Sequence, residues 1–281
     1  MSESFDRRIT PARADLAAAH LQGRVTATSF VHGQMRSVLA PQAPLRREPR
    51  ADCPLDTEAL RGEIVTVYDE AEGWSWVQLA RDGYVGYMPS ETLGAEELPT
   101  HRVSVMRALV FPGPNLKLPV VSALPFGARV AVWDTSGPYS RIAEGWVWSE
   151  HLASAEARES DFVTVAERFK GVPYLWGGKT GLGLDCSGLV QTSLDATGIA
   201  CPRDSDMQQR DLGRTLSTET ALLRGDLVFW PGHVGVMRDG QTLLHANGHA
   251  MLVASEPLAA ARDRIKANTG SDVAVVKRLT P

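Results

Sequence analysis

The chain has 281 residues, of which 43% are apolar and 22% charged, with a formal net charge of −4; this is the profile of an ordinary soluble globular protein with room for two or three domains. No Lys/Arg run supplies the footprint of a nucleic-acid binder, and no apolar stretch approaches the roughly 18 residues of a membrane helix. Three cysteines, Cys53, Cys186 and Cys201, are too few and too scattered for a disulfide framework.

The N-terminus, MSESFDRR, lacks the basic start and apolar core of a signal peptide, so a cytoplasmic location is expected. Residues 1–44 read as an arm and linker: "PARADLAAAHLQG" is expected to form a short helix and "PQAPLRREP" an extended connection. Two similar segments follow, "LRGEIVTVYDEAEGWSWVQLARDGYVGYMPSETL" and "LPFGARVAVWDTSGPYSRIAEGWVWSEHL". Both open on Gly-X-X-Val-X-Val and close on Gly-aromatic-X-X-Ser-Glu-X-Leu, with Gly86, Tyr87, Ser90, Glu91 and Leu93 matching Gly145, Trp146, Ser149, Glu150 and Leu152. Short β-branched and aromatic runs broken by Gly and Asp-Gly predict two small all-β barrels, residues 45–98 and 99–155. Such repetition over about sixty residues indicates a duplication. The segments resemble bacterial SH3 domains, which by themselves are binding modules.

The texture changes in the last part, residues 156–281. "SDFVTVAERFKG" has Phe162, Val165 and Phe169 at helical spacing, with Ser160 as the expected N-cap. "DCSGLVQTSLDATG" predicts a second helix, capped by Asp185 and stopped by Gly198. Strands follow in "DLVFW", "HVGVM", "TLLHA" and "VAVVKRL", so helices precede strands in an α+β domain. Asp226 in "RGDLVFW" reads as a structural turn or cap acid.

Cys186 falls in the first turn of its helix, where the dipole favours thiolate over thiol. The flanking glycines are expected to let a substrate backbone approach the sulfur. A nucleophilic thiol needs a base, and two of the seven histidines stand out. His233 opens one strand and His245 ends the next. A three-residue loop, Arg238-Asp239-Gly240, pairs 237 with 241 and 233 with 245, which puts both imidazoles on one face; a two-residue turn would separate them. The pattern permits a relay in which His233 takes the thiol proton and His245 fixes its tautomer. A zinc site from the same three residues lacks the short ligand pairs of zinc motifs. Neither a metal nor another cofactor is expected.

Residues 160–281 resemble the NlpC/P60 family of papain-like cysteine peptidases, which cut bacterial cell-wall peptides. Six ordered stretches carry the resemblance: "GVPYLWGG", "DCSGLVQ", "PRDSDMQ", "LRGDLVFW", "HVG" and "LHA". It implies Cys186 as nucleophile, His233 as base and His245 as the orienting residue, with Tyr174 and backbone N–H groups near Cys186 shaping the oxyanion site. Two SH3-like modules before such a domain resemble the γ-D-glutamyl-L-diamino-acid endopeptidases, which act on murein peptides with a free N-terminal L-alanine. That resemblance implies Asp204 as the acidic anchor for the substrate ammonium. It implies Trp176, Asp185, Ser187 and Ser205 as further pocket residues, and Tyr84 as a contribution of the first SH3-like module. Asp56, Glu58 and Glu63 are further candidates for the amine site. The competing expectations are a secreted autolysin acting on intact wall and an inactive ligand-binding protein. An acyltransferase acting on lipids lacks a membrane-anchoring segment.

Overall fold

The structure, a computed structural model, describes residues 5–217 and 219–279. It divides into two compact units, residues 1–157 and 158–281. No helix among the described residues is long and apolar enough to cross a membrane.

The first unit holds both β modules. In the first module the strands Leu55–Leu60, Gln42–Arg46, Val85–Pro89, Trp74–Leu79, Ile64–Ala71, Gln34–Val38 and Leu93–Gly94 form one sheet in that order. Alternate residues from these strands, among them Val38, Leu45, Val65, Val77, Leu79 and Met88, converge on one core, as period-two patterning requires. The second module splits its strands between a five-stranded and a three-stranded sheet around Val103, Val110, Leu124, Ile142 and Val147. The ladders stay open in both modules, so these are SH3-like folds without a closed ring of hydrogen bonds.

The duplication extends to side chains. Each copy runs from a strand through a single 3₁₀ turn, Ser90–Thr92 or Ser149–His151, into a short closing strand. In each copy the turn serine meets a buried strand serine: Ser90 Oγ lies 2.8 Å from Ser75 Oγ, and Ser149 Oγ lies 2.9 Å from Ser140 Oγ.

The arm differs from its sequence-based reading. Strands Gln34–Val38 and Gln42–Arg46 belong to the first module's sheet, so the module starts before residue 45 and "PQAPLRREP" is not a linker. The expected helix is instead a strand, Leu16–Ala18, paired in parallel with Ser29–Val31 and followed by one 3₁₀ turn. Tertiary pairing overrides the helix preference of three alanines. Arg13 secures the arm: its guanidinium bonds Asp69 at 2.7 Å and the Tyr87 hydroxyl at 3.1 Å, and lies 4.5 Å above the Trp76 ring.

In the second unit, α1 (Phe162–Arg168), α2 (Cys186–Ala196) and α3 (Ser205–Asp211) precede every strand of an antiparallel six-stranded sheet. Its order is Arg214–Thr215, Val275–Arg278, Leu227–Trp230, His233–Met237, Thr242–Asn247 and Leu252–Pro257. The α+β class holds, but strand Leu252–Pro257 and helix α4 (Leu258–Thr269) had no counterpart in the sequence reading. Helix α4 interrupts the expected order of helices before strands. Asp161, rather than Ser160, caps α1 by accepting from the Val163 N–H at 2.9 Å. Helix α2 is buried along nearly its whole length, with Val190 and Leu194 packed on Phe229, Val234 and Val236 of the sheet. Asp226 is structural: it pairs with Arg278 at 2.7 Å and accepts from the Leu223 N–H.

Candidate active site

Cys186 is the first residue of α2, and the Asp185 side chain caps that helix by accepting from the Gly188 N–H at 2.7 Å. Asp185 does far more than cap. Its two oxygens also accept from the Gly177 N–H at 2.8 Å, the Ser187 hydroxyl at 3.2 Å and both Arg203 terminal nitrogens at 3.0 and 2.8 Å. A carboxylate has about four lone-pair sites, so Asp185 is saturated by the protein itself. Arg203, 1% exposed, also donates to the Ser187 hydroxyl and to the Gly178 carbonyl. Together the pair welds the "LWGG" loop to the start of α2.

The glycines serve that weld. A Cβ on Gly188 would collide with the carbonyl oxygen of Gly178, and one on Gly178 with the carbonyl of Gly183. Loop and helix meet backbone to backbone, so these glycines are required for packing. This constraint accounts for the two glycines without reference to a substrate.

Burial also overturns the expected thiolate. Cys186 is 7% exposed, and burial pushes its thiol up to about 12, aided by the nearby Asp185 charge. The N–H groups of Val234 and Ser187 and the Arg203 charge oppose that shift without overcoming it. In the unliganded protein the sulfur is a thiol, and its activation depends on a base.

The candidate base is placed by the sheet. Val236 pairs with Leu244 and Met237 with Leu243, two residues away from the expected register. A shift of two leaves every side chain on its face, so the same-face expectation holds. His233 Nε2 lies 2.8 Å from His245 Nδ1, with ring centroids 5.0 Å apart. Trp230, paired with His233 across the hairpin, tilts its indole over the imidazole at 5.7 Å. Burial lowers His233 to about 3, reinforced by His245 and Arg264 and opposed by Asp185 and Glu256. His245, wholly buried, is lowered by the same cause. Both rings are therefore neutral at pH 7, so His233 has a free electron pair for a proton. Tyr174 is half-buried, and burial with the Cys186 and Asp185 charges raises its phenol above the ordinary range, which keeps it a hydrogen-bond donor.

The remaining residues fall into groups. Ser187 is buried against Asp185 and Arg203. Trp176 is 61% exposed. Asp204 and Ser205 open α3, both half-buried, and the Asp204 side chain does not cap the helix. Tyr84 lies in the other unit, 6% exposed in the first module's core, where it lines a cavity of about 930 Å³ with Arg13, Arg47, Asp56, Trp76 and Tyr87. Asp56 pairs with Arg47, Glu58 with Gln42 and Glu63 with Arg81. Sequence reasoning missed Arg203, Trp230, Glu256 and Arg264. Arg203 and Trp230 lie inside two of the matched stretches and were legible there; Glu256 and Arg264 were not. Among the described residues no group of three or more His, Cys, Asp and Glu side chains is arranged to hold a metal ion.

Comparison with known proteins places the second unit in a family. Residues 171–262 match the NlpC/P60 family model, and residues 45–93 match the bacterial dipeptidyl-peptidase Sh3 domain. A probable endopeptidase NlpC of Escherichia coli is 34% identical over 115 residues, which are 35% of this chain and 73% of that one. The chain belongs to the NlpC/P60 family of cysteine peptidases. A gamma-D-glutamyl-L-lysine dipeptidyl-peptidase of Bacillus cereus is 29% identical over 201 residues; the match spans 63% of this chain and 60% of that relative. The crystal structure of an NlpC/P60 family protein from Bacillus cereus superposes with a TM-score of 0.75 at 22% identity, covering 88% of this chain and all of that one; this likeness concerns the fold.

Proposed function

We propose that this NlpC/P60 peptidase hydrolyses the γ-D-glutamyl–diamino-acid bond of short murein peptides with a free N-terminal L-alanine. The observation that carries the chemistry is the bonded His233–His245 pair on the sheet against which the Cys186 helix packs. The bacterial dipeptidyl-peptidase Sh3 match and the name of the Bacillus cereus relative support the substrate class.

His233 takes the Cys186 proton as the sulfur attacks the γ-carbonyl carbon of D-glutamate, so charge forms only when the substrate is present. The N–H groups at the start of α2 and the Tyr174 hydroxyl stabilise the oxyanion. The tetrahedral intermediate expels the diamino acid's α-amine, which takes the proton from His233. Water, deprotonated by His233, then splits the thioester and releases L-Ala-γ-D-Glu, and His233 returns that proton to the departing Cys186 sulfur. Asp204 anchors the alanine ammonium. The proposal includes a cytoplasmic role in murein peptide recycling, which cell fractionation tests.

Incubation with L-Ala-γ-D-Glu-meso-diaminopimelate, followed by mass spectrometry, should release L-Ala-γ-D-Glu and diaminopimelate. Acetylation of the alanine amine should nearly eliminate cleavage, and Asp204→Asn should weaken turnover of the free-amine peptide. Equal cleavage of acetylated peptide or of intact sacculi would overturn the recycling reading and favour an autolysin.

A further inference from the structure

A pair of bonded histidines does not by itself produce a base. The His233–His245 bond can run in either direction. If His233 Nε2–H donates to His245 Nδ1, then the neutral His233 ring keeps a lone pair on Nδ1 for the thiol proton. If His245 Nδ1–H donates instead, His233 carries its proton on Nδ1 and has nothing with which to accept. Something must set the direction.

His245 Nε2 lies 2.8 Å from Glu256 Oε1, and Arg264 grips the same carboxylate through two nitrogens at 2.5 and 2.6 Å. The fold builds this contact deliberately. Ala254 stands opposite His245 in the ladder, and Glu256, two residues further along, is its diagonal neighbour on the same face. Arg264 comes from α4, whose Ala261 is packed among Val228, Trp230, Met237 and Leu243. We propose that Glu256, held by Arg264, is a positioning residue that fixes the tautomers of both histidines and so makes His233 a base.

An ionised carboxylate only accepts. His245 must therefore carry its proton on Nε2, its Nδ1 must accept from His233 Nε2–H, and the His233 Nδ1 lone pair is left for Cys186. Arg264 guarantees the ionised state: its two hydrogen bonds, with that from His245, lower the Glu256 carboxyl to about 2. This inference rests on His233 acting as the base, but not on which peptide is cut.

The bland alternative is a salt bridge that only ties strand Leu252–Pro257 to α4. Three measurements on the full-length protein separate the two. Imidazole ¹⁵N NMR should find both wild-type rings protonated on Nε2 and bare on Nδ1. In Glu256→Gln, Arg264 should hold the amide oxygen and turn the amide N–H₂ toward His245, reversing both tautomers. Alkylation of Cys186 by iodoacetamide, which needs no murein peptide, should then slow about 10²-fold. Turnover of L-Ala-γ-D-Glu-L-Lys should show the loss in kcat with KM nearly unchanged, short of the ~10⁴-fold that a wrong tautomer costs a serine protease triad.

The pH profile supplies the sign. The charged and titratable groups that act on His233 are Asp185 at the cap of α2, His245 and Glu256 from the sheet and Arg264 from α4. Removing the Glu256 charge should move the imidazolium limb of alkylation to lower pH. Removing the Arg264 charge, in Arg264→Gln, should move it higher and cost only severalfold in rate. Wild-type tautomers and alkylation in a folded Glu256→Gln protein would overturn the proposal. So would equal losses in Glu256→Gln and Arg264→Gln with unmoved limbs, the result a mere tether gives. If the tripeptide resists even the wild type while NMR and alkylation behave as stated, the substrate reading fails and this one stands.

Discussion

Two acid–arginine pairs flank the reactive groups, and their difference is instructive. Asp185–Arg203, on the thiol side, is almost wholly buried, with side-chain exposures of 10% and 1%. Glu256–Arg264, on the histidine side, leaves 20% of each side chain exposed. Besides Arg203 and the Ser187 hydroxyl, Asp185 accepts from the amides of a loop and of a helix start, groups that have only one place to hold their proton. Glu256 accepts one bond from an imidazole that can hold its proton in two places. The first pair fixes geometry; the second selects a state within a fixed geometry. Similar chemistry at similar distances thus serves stability in one place and reactivity in the other.

The largest effect belongs to the group both pairs serve. Cys186→Ala should reduce turnover of L-Ala-γ-D-Glu-meso-diaminopimelate by on the order of 10⁴-fold or more and leave the urea unfolding midpoint almost unmoved. Retained turnover in the folded variant would remove Cys186 from the chemistry. The comparison itself is broken or sharpened next. Arg203→Met strands a buried, ionised Asp185 and should cost about 3–5 kcal/mol of stability by urea denaturation. The same truncation at Arg264 should cost under about 1 kcal/mol, because that pair is partly solvated. Equal losses would mean that the two pairs do the same work.

Much of the site was legible in the sequence, and the reason is local. Asp185 before Cys186 is a cap pattern, and a cap fixes the helix start to within a residue. His233 and His245 share a face by strand periodicity, which survives the two-residue error in register because the error is even. What failed was non-local. The alanine-rich arm was read by propensity, but its pairing partner, Ser29–Val31, decides its conformation. The packing role of Gly178 and Gly188 was missed because the sequence does not show that loop and helix touch. Glu256 was invisible for a sharper reason. Its strand, "LVASEP", has neither alternation nor a turn signal, and eight residues across a strand–helix junction separate it from Arg264, a spacing no local rule covers.

The smallest expected effect separates the histidines from the carboxylate by pH. Burial holds His233 near 3 in the fold, against about 6.5 in an unfolded chain. Between those values the unfolded state binds a proton that the folded state refuses, so stability falls as pH drops from about 6.5 toward 3. Glu256, near 2 in the fold and about 4.3 unfolded, acts in the same direction, but only as pH drops from about 4.3 toward 2. The windows overlap only below about pH 4.3, so above it the histidine acts without Glu256, and each group contributes at most about 1.4 kcal/mol per pH unit. Urea midpoints from pH 7 to 4 should therefore decline in the wild type, and less steeply in His233→Gln, where the lowered His245 still contributes. Glu256→Gln should keep a decline between pH 6.5 and 5 and flatten only below about 4.5. If His233→Gln declines as steeply as the wild type between pH 6.5 and 5, then His233 is not held neutral by burial. The ring would then gain a proton below about pH 6.5, and turnover should fall there as the proposed reaction loses its proton acceptor.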